Sequence, residues 1–547
     1  MKKLLVLQLF LLTILIQAQK NDNLTVGFES NSQYYVDDEK TGDFTEKNRF
    51  RSNNYLKIDY SISNFSFGIQ AEGYEPMSLL NYSPDFDKST IALYYAKYTS
   101  KKIEATAGYF YEQYGSGLIL RSWEDRQLGI NNALRGGRIR FYATENIIFS
   151  ALYGNQRSGF DISDGSIYGF NSEFNISSIL KVSSWNLDLG ISYVGRKEIN
   201  DNTDFNFNDL TNAVSSRLNF ASNNFYSSAE FVSKSNDAII IFDVIRNKKQ
   251  GSAFLFDIGY GKKGFGINAN FRRIENMTFY SERNATGNTF NQNIINYIPA
   301  LTKQHDYLLT NIYVYQAQPQ VSFQDFSLLK IGEIGGQVDL FYSLKKKTTL
   351  GGKYGTKIAL NMSYWAGLSG DFDYLNFEYD SDLLKFGKKY FSDISMEIRK
   401  KWSGDWSSVF YYVNQYYNKR YIEETFGIVK SNIFVSESTY KMGSGKSLRF
   451  EAQHLWSKDD RKNWVGGTLE FNLNPKVAMY VNDIFNYGND NEAKRIHYYN
   501  FGGSYTLGPQ RFALNYGRQR GGLICIGGVC RFVPESTGVT ANIVLSF

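Results

Sequence analysis

Trp185-Asn186-Leu187-Asp188-Leu189-Gly190-Ile191-Ser192-Tyr193 decides the fold. Apolar and aromatic side chains hold the odd positions, and small, polar or acidic ones hold the even positions. In an extended chain successive side chains point to opposite faces, so this segment has one oily face and one wet one. A membrane-spanning strand needs about 9 to 11 residues of this kind, with lipid on one side and a lumen on the other. The pattern recurs along the chain. Phe65, Phe67, Ile69 and Ala71 alternate with Ser66, Gly68, Gln70 and Glu72, and Val465, Gly467, Leu469, Phe471 and Leu473 alternate against Thr468, Glu470 and Asn472. Carboxylates take the parity of Ser and Asn in all three series. That places them in a watery interior.

Length alone would allow about three or four ordinary domains, but the composition suits one β structure. The 547 residues include 42 Phe, 41 Tyr and 7 Trp beside 47 Gly, with only 7 Pro and 2 Cys. A hydrophobic fraction of 42% with 21% charged residues excludes a disordered tail. No apolar run after the leader is long enough for a transmembrane helix. Met1-Lys2-Lys3, the apolar stretch Leu4 to Ile16 and small Ala18 read as a signal peptide over residues 1–18, leaving 19–547 as a single barrel domain. No Cys follows the cleavage point, which argues against a lipid-anchored protein. The formal charge of +6 drops by two with Lys2 and Lys3, and no Lys/Arg stripe supports nucleic-acid binding.

Connections between the strands alternate in length. Ser63-Asn64, Thr99 to Lys101, Thr144 to Asn146, Ser222 to Asn224, Gly261 to Gly264, Ser403-Gly404, Asn474-Pro475 and Gly508 to Gln510 are tight turns. Residues 75–89, 113–135 and 155–166 read as long loops. Short periplasmic turns opposite longer external loops mark an up-and-down barrel of the outer membrane, here with about 24 antiparallel strands (roughly 22 to 26) from Asn23 to Phe547. Proline cannot donate to a ladder, and all seven prolines fall in the connections of this map. Trp185, Trp365, Trp402, Trp406, Trp456 and Trp464 sit at or beside strand ends, as expected for side chains at a membrane interface, with Trp123 in a loop. A soluble sandwich or propeller would also alternate, but no blade-length repeat is present and its outer faces would be less aromatic.

The final strand alternates Val539, Ala541, Ile543, Leu545 and Phe547 with Thr540, Asn542, Val544 and Ser546. Ending on aromatic Phe547, it resembles the terminal strand by which the outer-membrane insertion machinery recognises barrels. The plainer reading is an amphipathic strand at a chain end.

Three irregular stretches could carry function. The connection 275–332 is far longer than an ordinary loop and too apolar to be a solvated tail. It either folds into the lumen as a constriction or partial plug, or rises above the membrane as an extra hairpin. Tyr111 to Arg126 contains Gly115-Ser116-Gly117 followed by Arg121, Glu124, Asp125 and Arg126. Gly115-Ser116-Gly117 is no phosphate loop, since no Lys follows at the required spacing. These charges either lock the loop against an inner wall made by Glu104, Arg138 and Arg140 or, with Arg138 and Arg140, define a polar eyelet for solute. Cys525 and Cys530, separated by four residues including Gly527-Gly528, suit a disulfide-stapled hairpin in an exported chain. A free pair is the alternative, and a metal site needs more ligands.

The Tyr111 to Arg126 and Cys525 to Pro534 blocks together resemble an uncharacterised family of Bacteroidota outer-membrane barrels, defined as a domain of unknown function. The resemblance spans nearly the whole mature chain. It implies an outer-membrane barrel and supplies no catalytic residue, cofactor or metal ligand. The three histidines, His305, His454 and His497, leave few members for a catalytic triad or a multi-histidine metal centre. Asp201, Asp204 and Asp209, or Asp483, Asp490 and Glu492, could hold Ca²⁺ weakly but read more simply as solvated loops. The sequence therefore predicts a non-enzymatic, porin-like barrel for transport of polar solutes or polymers. The alternative is a non-conducting scaffold that docks partners of an envelope secretion, assembly or gliding machine. Expected partners are outer-membrane lipid, the insertion machinery and envelope proteins. Barrel strands begin near Asn23, which leaves no room for an amino-terminal plug domain.

Overall fold

The computed structural model describes residues 23–547 apart from 80–82, 200–207, 238, 242–243, 247–248, 286–291, 320–327, 329, 374–377 and 527–528. The leader, Asp201 and Asp204 therefore lie outside the described residues. One 24-stranded antiparallel sheet forms the body and closes on itself. Leu24–Tyr35 pairs with Phe50–Ile62 on one side and with Ser536–Ser546 on the other, Asn31 standing opposite Asn542. Phe547 extends this seam, exchanging backbone hydrogen bonds of 3.1 and 2.9 Å with Val26. At the opposite rim Arg518 donates to both carboxylate oxygens of Asp38 at 2.8 and 2.9 Å, and the Thr537 hydroxyl adds a bond of 2.7 Å.

The tight turns read from the sequence all lie on one rim. Their backbones need left-handed residues, which Asn223 (φ 47°) and Gly264 (φ 82°) supply. On the other rim the stretch 155–166, which reads as a loop, is mostly laddered: pairing continues to Ser158 opposite Asp161, with a register shift between Asn155 and Arg157. A strand that has left the membrane no longer needs an apolar face, so its period-2 signal fades there.

Lipid dictates the outer surface. Phe67 and Ile69 are each 44% exposed, whereas Gln70 and Glu72, which follow them on the other parity, are 4% and 2% exposed. Ile191, Ile394, Phe450 and Leu514 continue the bare apolar belt. With every strand paired, no backbone edge is left to face hydrocarbon. Trp402 and Trp406 lie exposed on this surface, 5.8 Å apart near the short-turn rim. Trp365 and Trp464 overturn the interface reading of their positions. Both share the parity of inward residues, Trp365 opposite Gly335 and Trp464 opposite Leu455, and both are fully buried inside. Their distance from a strand end says nothing about the face they occupy.

Candidate functional site: a lumen filled by its own chain

Between Glu275 and Gly332, which pair as the last rung of two adjacent strands, the chain turns into the barrel. Its first arm is a hairpin: Ser281 N–H donates to Asn293 O at 2.7 Å, and Ile295 N–H to Phe279 O at 2.9 Å. The loop after Phe110 joins it. Arg121 N–H donates to Ile295 O and Tyr297 N–H to Gly117 O, each at 2.9 Å. Gly117 has φ 95°, and a Cβ there would sit 3.2 Å from the Arg121 side chain, so this approach favours glycine. Met277, Phe279 and Ile295 pack against Val194, Ala213, Val232, Ala253 and Ile274. Those five come from consecutive wall strands, point inward and are at most 1% exposed. In an open pore they would be wet.

The second arm crosses to the far wall. Leu309 N–H donates to the Gln453 side-chain oxygen at 2.9 Å, and the Gln415 amide donates to Tyr313 O at 2.9 Å. Tyr307, Leu309, Tyr313 and Tyr315 pack with Trp365, Tyr411, Tyr417, Leu455 and Trp464 in one buried cluster. His305 hydrogen-bonds the Tyr411 hydroxyl. The segment thus spans the lumen as a plug drawn from the middle of the chain.

Buried ion pairs of the wall hold the plug through further hydrogen bonds, and Arg283 of the plug joins one of them directly. Arg272 and Glu333 meet at 2.5 Å with side chains 2% and 0% exposed. Glu333 also accepts from the Tyr315 hydroxyl at 2.5 Å and from Gln318 N–H at 2.7 Å, while Arg272 donates to Pro299 O at 2.7 Å. Arg196 meets Asp237 at 2.5 Å and donates to Tyr280 O at 3.0 Å, and Arg283 reaches Asp237 and Glu198, each at 3.2 Å. Nearer the seam Arg157 grips both oxygens of Glu72 at 2.8 and 2.7 Å. Two-pronged guanidinium–carboxylate contacts fix geometry as well as charge.

The six charged residues singled out in the sequence occupy three places. Arg138 and Arg140 face inward on the wall; Arg138 pairs with Glu104, and both reach Glu112 of the internal loop at 3.3 and 3.1 Å. Arg126 donates to Glu29 at 2.7 Å, lies 3.4 Å from Glu124 and stacks over Tyr55. Asp125 accepts from Leu128 N–H at 2.9 Å within its own turn. Arg121 lies over the rings of Tyr297 and Trp123, at 3.8 and 4.9 Å. Glu112, Arg272, Glu333, Gln415 and Gln453 escaped the sequence reading. One signal was available: Val194 and Ala213 put apolar side chains on the lumen parity.

Cys525 and Cys530 stand directly opposite each other in the hairpin of Gly522–Ile526 and Val529–Val533. Among the described residues no group of three His, Cys, Asp or Glu could hold a metal ion. His497 meets Asp483 at 2.6 Å, Lys462 meets Asp490 at 2.5 Å, and His454 contacts the Tyr487 hydroxyl at 2.8 Å.

Two cavities of about 540 Å³ each remain inside the wall. One runs from Ser116 of the internal loop to Glu145 on the short-turn rim, carrying Glu173, Asp188, Glu230 and Arg217. The other lies by the seam, between Leu308 and Asn311 of the plug, the Cys hairpin and the wall strands.

A closed cylinder with a bare apolar belt, a charged inner wall and turns of unequal length on its two rims is an integral β-barrel of the bacterial outer membrane. The chain belongs to the family of unknown function DUF6029, whose model matches residues 1–547. No curated protein matches it. Among solved structures, the siderophore receptor PirA from Pseudomonas aeruginosa is 8% identical with a TM-score of 0.43, covering 96% of this chain and 80% of its own. The P pilus usher (PapC) translocation pore is 9% identical with a TM-score of 0.43, covering 96% and 99%. OpdK from Pseudomonas aeruginosa, solved with vanillate, is 10% identical with a TM-score of 0.36, again covering 96% and 99%.

Proposed function

We propose that the protein is an outer-membrane channel or transporter for polar solutes, closed in this conformation by the described residues between Asn276 and Ile331, and not an enzyme. The observation that carries this reading is the inner wall away from the plug. Asn270, Gln337, Asp339, Asn361, Thr468 and Glu470 share the inward parity across wall strands. A wall that served only to hold a sheet in lipid could be packed with apolar side chains. This one is built for water and polar cargo, with Glu173, Asp188 and Glu230 in one cavity and Asn482, Asn500 and Asn515 in the other.

The buried Arg–carboxylate clusters favour a second reading, a permanently sealed scaffold that docks envelope partners. Planar-bilayer recording separates the two. Stepwise currents from purified protein under voltage or low pH support the channel. A silent bilayer under every condition, together with stoichiometric partners retained from native membranes in mild detergent, would overturn it.

The cross-strand position of Cys525 and Cys530 supports a disulfide at the external mouth. Alkylation of the unfolded, unreduced protein is expected to add no label, and prior reduction to add two. Two labels without reduction would refute the bond.

A further inference from the structure

The two lumenal cavities differ in charge. The rim-side cavity carries the carboxylates of Glu145, Glu173, Asp188 and Glu230 against one guanidinium. The seam-side cavity is lined by two guanidiniums, Arg518 and Arg520, with no carboxylate among its lining residues. Arg518 is already neutralised by Asp38. Among the described residues Arg520 donates to neutral oxygens, Asn311 O at 3.0 Å and Gly521 O at 3.2 Å. Among the described residues no carboxylate lies within ion-pair distance of it. Glu535 nearby accepts from the Tyr498 hydroxyl at 3.0 Å instead. Burial, with the Arg461 guanidinium beside it, holds the Arg520 pKa down to about 10. An anion would relieve that strain on the charge.

The rest of the lining suits hydroxyl groups. Gln33, Asn482, Asn500 and Asn515 each offer a donor and an acceptor. Asn500 and Asn515 are held in place by the Tyr480 hydroxyl, at 3.0 and 3.2 Å. Tyr35 and Tyr498 complete the polar part of the lining. The volume of about 540 Å³ falls within the roughly 300–1,000 Å³ of small-molecule sites. A cation would meet two guanidiniums, and a fatty acid would strand four carboxamides against its tail.

We infer that the seam-side cavity binds a saccharide carrying a carboxylate or phosphate, with the guanidinium fork of Arg520 on the acid group and the carboxamides on the hydroxyls. This names the solute class for the channel reading. Equilibrium binding is the right test, because it separates an empty cavity from a barrel that never conducts.

Calorimetry of the full-length protein in detergent, titrated with trigalacturonate, glucose 6-phosphate and maltotriose, decides it. At least one anionic sugar is expected to bind, and maltotriose to bind about tenfold more weakly or not at all, since charge-assisted pairs with Arg are the strong contacts. Binding by one anionic probe alone supports the proposal and identifies the acid group. Arg520→Gln is expected to weaken that binding by about tenfold or more. Asn482→Asp, which places a carboxylate in the same cavity at unchanged size, tests the site without touching the Arg520 bonds and is expected to weaken anionic binding alone. Equal binding of maltotriose, no binding of either anionic sugar, or unchanged affinity in a folded Asn482→Asp protein would overturn it.

Discussion

Excision of residues 277–330, with a short Gly-Ser linker joining Asn276 to Ile331, is expected to turn the closed barrel into a wide, steadily conducting pore. The junction is already prepared. Asn276 N–H donates to Ile331 O at 3.1 Å, and Glu275 pairs with Gly332, so the flanking strands would remain a hairpin once the insertion is removed. What disappears is the plug's share of the layer that buries Val194, Ala213, Val232, Ala253 and Ile274 on one side, where Leu118, Ile119 and Leu120 of the internal loop remain, and its cover over Tyr411, Leu455 and Trp464 on the other. Barrels of 16–18 strands already enclose an aqueous channel, and this sheet has 24. Single-channel current should rise on the order of tenfold or more over the intact protein. No increase in current from a correctly assembled deletion protein would count against an internal plug.

Arg272→Met should cause the largest loss from a single substitution. It leaves the Glu333 carboxylate fully buried, with the Tyr315 hydroxyl and Gln318 N–H but no counter-charge. Removing one partner of such a pair costs about 3–5 kcal/mol, whereas replacing both by neutral groups of similar size costs far less. The double variant Arg272→Met with Glu333→Gln should therefore recover much of the loss. Denaturant unfolding in detergent gives the free energies, and hydrogen exchange over residues 297–318 shows whether the loss falls on plug docking. A double variant no more stable than Arg272→Met would show that the pair is not coupled.

The barrel was legible because lipid leaves a sheet little choice. Period-2 alternation at Phe65 to Glu72 or Trp185 to Tyr193, tight turns at Ser63-Asn64 and Gly508 to Gln510, and prolines kept out of the strands are local consequences of that solvent, so sequence shows them. The plug was half legible. Length and apolarity marked residues 275–332 as unusual, but whether they fold inward depends on partners far away: Leu309 meets Gln453, 144 residues later. The same holds for the charged loop, where Arg126 finds Glu29, 97 residues earlier. Residue types announce ion pairs, but their pairing is set by closure of the sheet. Trp365 and Trp464 show what parity adds to position. On inward parity, the apolar residues Val194, Val232 and Ile274 interrupt a polar inner face and so point to something packed against it.

The central claim is that a segment from the middle of the chain lies inside a closed sheet and touches its far wall. Cysteines at 309 and 453, introduced as Leu309→Cys and Gln453→Cys with Cys525 and Cys530 replaced by serine, test it in assembled outer membranes. The account predicts efficient oxidative cross-linking of 309 to 453, read as a shift of electrophoretic mobility lost on reduction, and none between 309 and a cysteine placed at lipid-facing Ile394. Absence of the first cross-link in a correctly assembled barrel, or an equal yield at position 394, would contradict it.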